Sequence, residues 1–202
     1  MLNIDRAKFF DGIRQSFLRM RHMTQSQVDG INFLIGSMER TDLSLEESAY
    51  MLATTAHETA WKFQPIAEYG SPSYFAERYD SVLGSTPERR ARAVSMGNTC
   101  MGDGERYKGR GYVQLTWRSN YQRAGNEIGV DLENQPELAM VPENAFAVMY
   151  RGMRDGWFTG KCLSDYINDE RCDFINARRI INGLDKAHEI AMYANRFLRL
   201  IN

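Results

Sequence analysis

SLEESAYMLATTAHETA, residues Ser44 to Ala60, is the stretch whose reading settles the fold class. Ser44 followed by Glu47 is a capping-box pattern, in which each side chain can bond the other residue's backbone N–H and so open a helix. Leu45, Ala49, Leu52, Ala53, Ala56 and Ala60 then recur at three- and four-residue steps, which places them on one apolar stripe. The spacing predicts a helix carrying His57 and Glu58 near its end. At about 100° per residue, Glu58 falls roughly opposite the centre of the stripe. A glutamate in that position is ordinarily solvated, and it becomes a cleft residue only if a second wall covers its face.

Helical signals extend on both sides. Phe9, Phe10, Ile13 and Phe17 recur at helical spacing, and Thr24 with Gln27 forms a second capping box ahead of Val28, Ile31, Leu34 and Ile35. Downstream, Pro65 breaks the pattern and leaves Glu68 in an extended or loop segment. Tyr74, Phe75 and Tyr79 read as a packing cluster. Thr86-Pro87-Glu88 opens a helix whose Arg89, Arg90 and Arg92 form a solvated face, with a stop at Gly97. Five glycines between Gly97 and Gly111 mark tight turns or close approaches. Tyr112 to Trp117 alternates and is rich in strand formers, so it is the strongest predicted strand. Ser119 is expected to cap a helix that runs to Ile128 and ends at Gly129. Pro142 leads a further helix, Leu163, Tyr166 and Ile167 mark a shorter one, and Asp173 to Ile181 another. Ala187, Ile190, Ala191, Ala194, Phe197, Leu198 and Ile201 form the face of the last. The expected class is mainly α (α+β), folded as a single catalytic domain over residues 1–202 without a separate wall-binding module.

With 43% apolar residues, 25% charged residues and a net charge of -1, the chain can bury an ordinary core, and it lacks the global positive field of a nucleic-acid-binding protein. The N-terminus has no apolar run of the secretory kind, and no later run is apolar enough to span a bilayer. Stable membrane insertion is therefore not expected. Cys100, Cys162 and Cys172, an odd number without a framework spacing, read as free thiols, with a Cys162–Cys172 bridge left open.

Two chemistries lose their support at the motif level. HETAW begins like a zinc-protease HExxH motif but has Trp61 where the second histidine belongs, and His22 and His188 have no ligand spacing. No GxSxG elbow or recognisable cysteine signature accompanies them. Neither a metal nor a cofactor is expected. Carboxylates remain, with Glu58 and Glu68 close in sequence, and two carboxyl groups are the minimal equipment for cleaving a glycosidic bond.

HETA at 57–60, PIAEYG at 65–70, GDGERYKGRGYVQLTWRSNY at 102–121 and ARRIINGLD at 177–185 together resemble the family 19 glycoside hydrolases, and within them the phage endolysins. The resemblance implies a two-lobed, lysozyme-like fold with a substrate groove and a small β-hairpin or sheet on one wall. It assigns the general acid to Glu58 and the general base to Glu68, with Glu77 as the substitute base. Thr116 would help to hold the attacking water, and Tyr107, Gln114, Asn120 and Asn182 would line the sugar groove. An inverting mechanism would place the two carboxyl groups roughly 6.5 to 9.5 Å apart. The chain departs from plant-type members at Ala60 and Trp61, where glycines are usual, and this is expected to narrow or reshape the groove. The basic residue that follows Ile-Asn-Gly in chitinases has no obvious counterpart in AHEIAMY, which carries Glu189.

The implied activity is hydrolysis of the β-1,4 bonds of peptidoglycan glycan strands by a monomeric endolysin. It would accumulate in the host cytoplasm and reach the periplasm and cell wall through a holin lesion. A chitinase acting on N-acetylglucosamine polymers, and a non-catalytic glycan-binding protein, are the alternatives.

Overall fold

The computed structural model describes residues 4–202. Helices dominate and the strands are confined to two short antiparallel ladders, in line with the mainly helical α+β class. The chain forms two compact units. One comprises the described residues up to Gln64 together with Tyr150–Asn202, and the other is Pro65–Met149. Elements are numbered in chain order, and no helix among the described residues is long and apolar enough to cross a membrane.

The first unit holds α1 (Arg6–Ser16), α2 (Gln25–Met38), α3 (Leu45–Glu58), α9 (Phe174–Ala177) and α10 (Ala187–Ile201). Asp5 caps α1, and both predicted capping boxes, Thr24 with Gln27 and Ser44 with Glu47, make their reciprocal bonds. The helix α3 departs from the one-sided stripe. Every residue from Ser48 to Ala56 is buried, Thr54 and Thr55 included, so α3 is a central helix rather than an amphipathic surface one. Small side chains allow this, because Ala49, Ala53 and Ala56 let neighbours approach closely. The helix α10 packs on α3, and its buried face includes Ala187, Ile190, Ala191, Ala194 and Phe197.

An aromatic cluster closes this core. Phe17 and Trp61 lie 4.9 Å apart, Trp61 and Tyr193 4.8 Å, and Phe17 and Phe197 4.9 Å between ring centroids. Trp61 is buried in this cluster. The backbone turn that directs it inward is unusual. Ala60, Trp61 and Phe63 all have positive φ (49°, 67° and 54°), and Trp61 N–H donates to the Ala56 carbonyl at 2.7 Å as α3 ends. A Cβ on Gly30 of α2 would lie 2.1 Å from the Phe63 carbonyl oxygen, so only glycine allows α2 to sit against this turn.

The segment from Leu163 to Ile167 is not the short helix expected. A 3-10 turn (Leu163–Asp165) is followed by a hairpin of β3 (Ile167–Asn168) and β4 (Arg171–Cys172). The Asn168 side-chain oxygen accepts from the Glu170 and Arg171 amides and bends the chain back before a helix can propagate. All three cysteines are free thiols.

The second unit holds β1 (Ile66–Ala67), α4 (Pro72–Tyr79), α5 (Pro87–Ser95), α6 (Asp103–Arg106), β2 (Arg110–Gly111) and α7 (Arg118–Ile128). The chain then enters α8 (Pro142–Arg154), which carries it back to the first unit. Thr86 caps α5, Pro87 opens it and Gly97 (φ +85°) follows it, as read from sequence.

Buried polar groups organise the glycine-rich stretch. The Asp80 carboxylate accepts from the amides of Val82, Leu83 and Gly102, and Asn98 donates to the Tyr79 carbonyl and accepts from the Arg118 amide. Burial works against the charge of Asp80, but those amides outweigh it and hold its carboxyl below the usual range. A Cβ on Gly104 would lie 2.7 Å from the Phe75 carbonyl oxygen, which explains that glycine as a close approach.

Two local expectations fail here. Tyr112–Trp117 is a turn rather than a strand, and the ladder is Ile66 with Gly111 and Ala67 with Arg110, extended by an isolated Arg110–Leu115 bridge. Gly111, which ends β2, and Gln114 adopt φ of +86° and +54° and so bend the chain out of an extended path, while Tyr112, Val113, Leu115 and Trp117 still reach the core. Ser119 is not a cap, because α7 begins at Arg118 and the Ser119 hydroxyl bonds the Met96 carbonyl.

Ala60 is exposed and pays a left-handed backbone penalty without gaining burial. Ala60→Gly is expected to stabilise the protein by about 1 kcal/mol, read as a higher urea midpoint at unchanged slope. Gly104→Ala, with a blocked Cβ, should destabilise it in the same measurement.

Candidate active site

Glu58 stands in the last turn of α3. Its Oε1 accepts from the Arg178 guanidinium at 2.6 Å, and the two side chains are 15% and 3% exposed. A guanidinium this buried requires an anionic or strongly accepting partner, and Glu58 supplies it. Arg178 is placed by the short helix α9, whose Asp173 caps the Asn176 amide and whose Phe174 ring stacks on Tyr50 of α3 at 6.0 Å. The Arg178 Nε also donates to the Asp185 carbonyl. A basic partner for Glu58 thus exists within ARRIINGLD itself, although the segment after Ile-Asn-Gly seemed to lack one. There, Glu189 accepts from the Tyr193 hydroxyl within α10.

Glu68 follows directly on β1. Its amide donates to the Gly109 carbonyl at 2.7 Å, which continues the ladder, and the Gly109 amide donates back to Glu68 Oε2 at 3.3 Å. The Tyr74 and Tyr79 hydroxyls both donate to Oε1, at 3.2 and 3.0 Å. Burial, with the Glu68 carboxylate beside it, pushes the Tyr79 hydroxyl up to about 12, so it remains a donor throughout the physiological range. A Cβ at 109 would lie 2.8 Å from Gln114 Oε1 and 3.3 Å from Glu68 Oε2, so any larger residue there would push these two side-chain ends from their present places. Glu77, the substitute base, is exposed on α4.

The other sequence-selected residues divide. Gln114 is half-buried and spends its amide on the Ile66 and Gly111 carbonyls. Thr116 donates to the Gln114 carbonyl at 2.8 Å, and Asn120 donates to the Thr116 carbonyl at 2.8 Å, so the three form one chain of bonds. The Thr116 lone pairs and the Asn120 carbonyl oxygen remain as acceptors for water or sugar. Tyr107 does not line an open surface. It is 2% exposed, its hydroxyl donates to the Glu133 carbonyl, and its ring packs on Tyr121. Asn182 is exposed and its side chain accepts from the Gly183 amide.

Four residues escaped the sequence reading. Arg178 was given no role within ARRIINGLD, and Tyr74 and Tyr79 were grouped with Phe75 as packing, though only Phe75 is fully buried. Tyr69, beside Glu68, is 99% exposed, and an aromatic ring left wholly in solvent next to a carboxylate cradle is a ready stacking face for a sugar. The i, i+5 spacing of Tyr74 and Tyr79 after an acid was a usable signal.

Comparison with known proteins places these features. The family model described as "Chitinase class I", glycoside hydrolase family 19, matches residues 34–159. Endochitinase CH5B of Phaseolus vulgaris is 34% identical over 106 residues, covering 51% of this chain and 30% of that protein. Endochitinase 2 of Gossypium hirsutum is 38% identical over 92 residues, covering 46% and 29%. The chain thus spans less than a third of the length of these curated relatives. The crystal structure of chitinase C from Streptomyces griseus HUT6037 superposes with a TM-score of 0.64 at 18% identity, over 98% of this chain and 76% of that one, which shows a shared fold. With a family model spanning well over half of its residues, the chain belongs to the family 19 glycoside hydrolases.

Proposed function

We propose that the protein is an endolysin-type hydrolase that cuts the β-1,4 bonds of bacterial peptidoglycan by general acid and base catalysis with inversion. The observation that carries the mechanism is the provision made for each carboxyl group within its own unit. Arg178 fixes Glu58, and Tyr74, Tyr79 and the Gly109 amide fix Glu68. In this reading Glu58 acts in its protonated form, accepting from Arg178 through Oε1 and giving the proton on Oε2 to the leaving glycosidic oxygen, while Glu68 takes a proton from the attacking water. Thr116 offers lone pairs to orient that water. Asn120 and Asn182 present amide groups to sugar hydroxyls and N-acetyl groups, and Tyr69 offers a stacking face.

The likeness of GDGERYKGRGYVQLTWRSNY to phage endolysins supports the bacterial wall as substrate. On that reading the monomeric enzyme reaches the wall from the host cytoplasm through a holin lesion. A chitinase is the second reading, favoured by relatives and a structural neighbour whose names are those of chitinases.

Turbidity loss of permeabilised Gram-negative cells, run beside hydrolysis of N-acetylglucosamine oligomers, separates the two. Clearing of cells with weak oligomer turnover is the expected result, and the reverse would establish the chitinase. Glu58→Gln should lower activity by about 100-fold or more. Because it also removes the charge opposite Arg178, its melting temperature should fall, and the rate must be compared with the variant still folded. Clearing that survives the substitution would remove Glu58 as the acid.

The base is tested separately. Glu68→Gln is expected to lose about 100-fold or more while Glu77→Gln keeps near-normal rates. Tyr74→Phe combined with Tyr79→Phe should lower kcat by about tenfold with little change in KM, since only the aim of Glu68 is loosened. The opposite ranking of Glu68 and Glu77 would overturn the assignment.

A further inference from the structure

Two exposed arginines, a half-buried third and four exposed apolar side chains of the second unit are unused by the chemistry above. Met101 is 70% exposed, and Val82, Leu83 and Val94 are each half exposed or more. They come from three separate stretches of chain, yet hydrogen bonds hold them together. The buried Asp80 carboxylate takes the amides of Val82 and Leu83 on one oxygen and of Gly102 on the other, which fixes the Val82–Leu83 loop beside Met101. The Arg90 guanidinium donates to the Gly84 carbonyl at 2.5 Å, and a Cβ on Gly84 would lie 2.9 Å from Arg90 Cγ, so this face of α5 lies on the same loop. Val94 stands one turn beyond Arg90 on that face.

The rim is cationic. Arg89 donates to the Ser85 hydroxyl and the Glu77 carbonyl, and Arg92 lies 5.7 Å from the centre of the Trp117 ring. None of Arg89, Arg90 and Arg92 has a carboxylate within ion-pair distance among the described residues, and α5 carries only Glu88 against them. Partners that are neutral carbonyls, hydroxyls and rings orient a guanidinium without cancelling its charge. Apolar side chains at the tip, with Arg89 and Arg90 tied to the same loop through Ser85 and Gly84, match one surface chemistry, an acyl boundary beneath anionic phosphates. A polysaccharide would meet the arginines but gains nothing from four aliphatic and thioether side chains.

We propose that the Val82–Leu83 loop, Met101 and the arginine face of α5 form a docking surface for an anionic phospholipid bilayer, a peripheral attachment with shallow side-chain insertion. The attachment is independent of the identity of the glycan substrate.

Co-sedimentation with vesicles of phosphatidylglycerol mixed into phosphatidylcholine tests it, with pure phosphatidylcholine vesicles and purified peptidoglycan sacculi as the other arms. The wild-type chain should sediment with the anionic vesicles at low salt, and should be released as salt rises. Val82→Ser with Leu83→Ser and Met101→Ser should weaken vesicle binding by about tenfold. Arg89→Gln with Arg90→Gln should remove most of the salt-dependent part. Unchanged circular dichroism and melting temperature in both variants would show that the surface, not the fold, was altered. Absence of binding to anionic vesicles, equal binding to pure phosphatidylcholine, or full vesicle binding by the triple serine variant would each overturn the proposal. So would a loss confined to sacculi, which would assign the patch to the wall.

Discussion

The ion pair between Arg178 and Glu58 is the constraint on which the first unit depends. The two residues are 120 positions apart, on chain segments that flank the whole of the second unit in sequence. A guanidinium only 3% exposed is costly to leave without a partner, and α9 brings it back to the end of α3, where Glu58 supplies one. That requirement links stability to chemistry. The Tyr50–Phe174 stack, the Asp173 cap and the Asp185 carbonyl all serve to bring the arginine to one glutamate.

Glu68 is held by a different principle. Its donors are neutral, two phenols and an amide, and all come from within about forty residues of it. The two-residue ladder of β1 and β2 is too short to be stable alone, and its register matters more than its length. Pairing Ile66 with Gly111 brings Glu68 to Gly109, where the lack of a Cβ lets the carboxylate and Gln114 crowd the backbone. The same stretch then turns rather than extends, and so delivers Gln114, Thr116 and Asn120 as one hydrogen-bonded series.

What was legible in the sequence was local. Ser44 with Glu47, Thr24 with Gln27 and Thr86-Pro87 announce helices because their partners lie three residues away. Glu58 and Glu68 were found through the motifs around them. Arg178 was missed because nothing near it in sequence distinguishes a buried guanidinium from a solvated one. Tyr74 and Tyr79 were missed because an aromatic cluster is read by its carbon and not by its hydroxyls. The strand predicted over Tyr112–Trp117 failed for a related reason. Burial does alternate from Val113 to Trp117, as the pattern implied, but positive φ at Gly111 and Gln114 bends the backbone that carries it.

Those unfavourable dihedrals are not scattered. Of the six non-glycine residues with positive φ among the described residues, Ala60, Trp61 and Phe63 close the HETAWKF segment, and Gln114 and Trp117 lie within GYVQLTW. A left-handed or rarer backbone costs about 1 to 3 kcal/mol per residue and persists only where its surroundings leave no alternative. At Trp61 and Phe63 the compensation is plain, since the turn drives both rings into the aromatic core around Phe17 and Phe197. At Gln114 no such burial is gained, and its half-buried amide is instead committed to backbone carbonyls beside Glu68. Strain offset by packing at the first segment maintains the fold. At the second, Trp117 gains the same return by packing on Tyr79, and the turn at Gln114 is held by hydrogen bonds to the Ile66 and Gly111 carbonyls in place of burial.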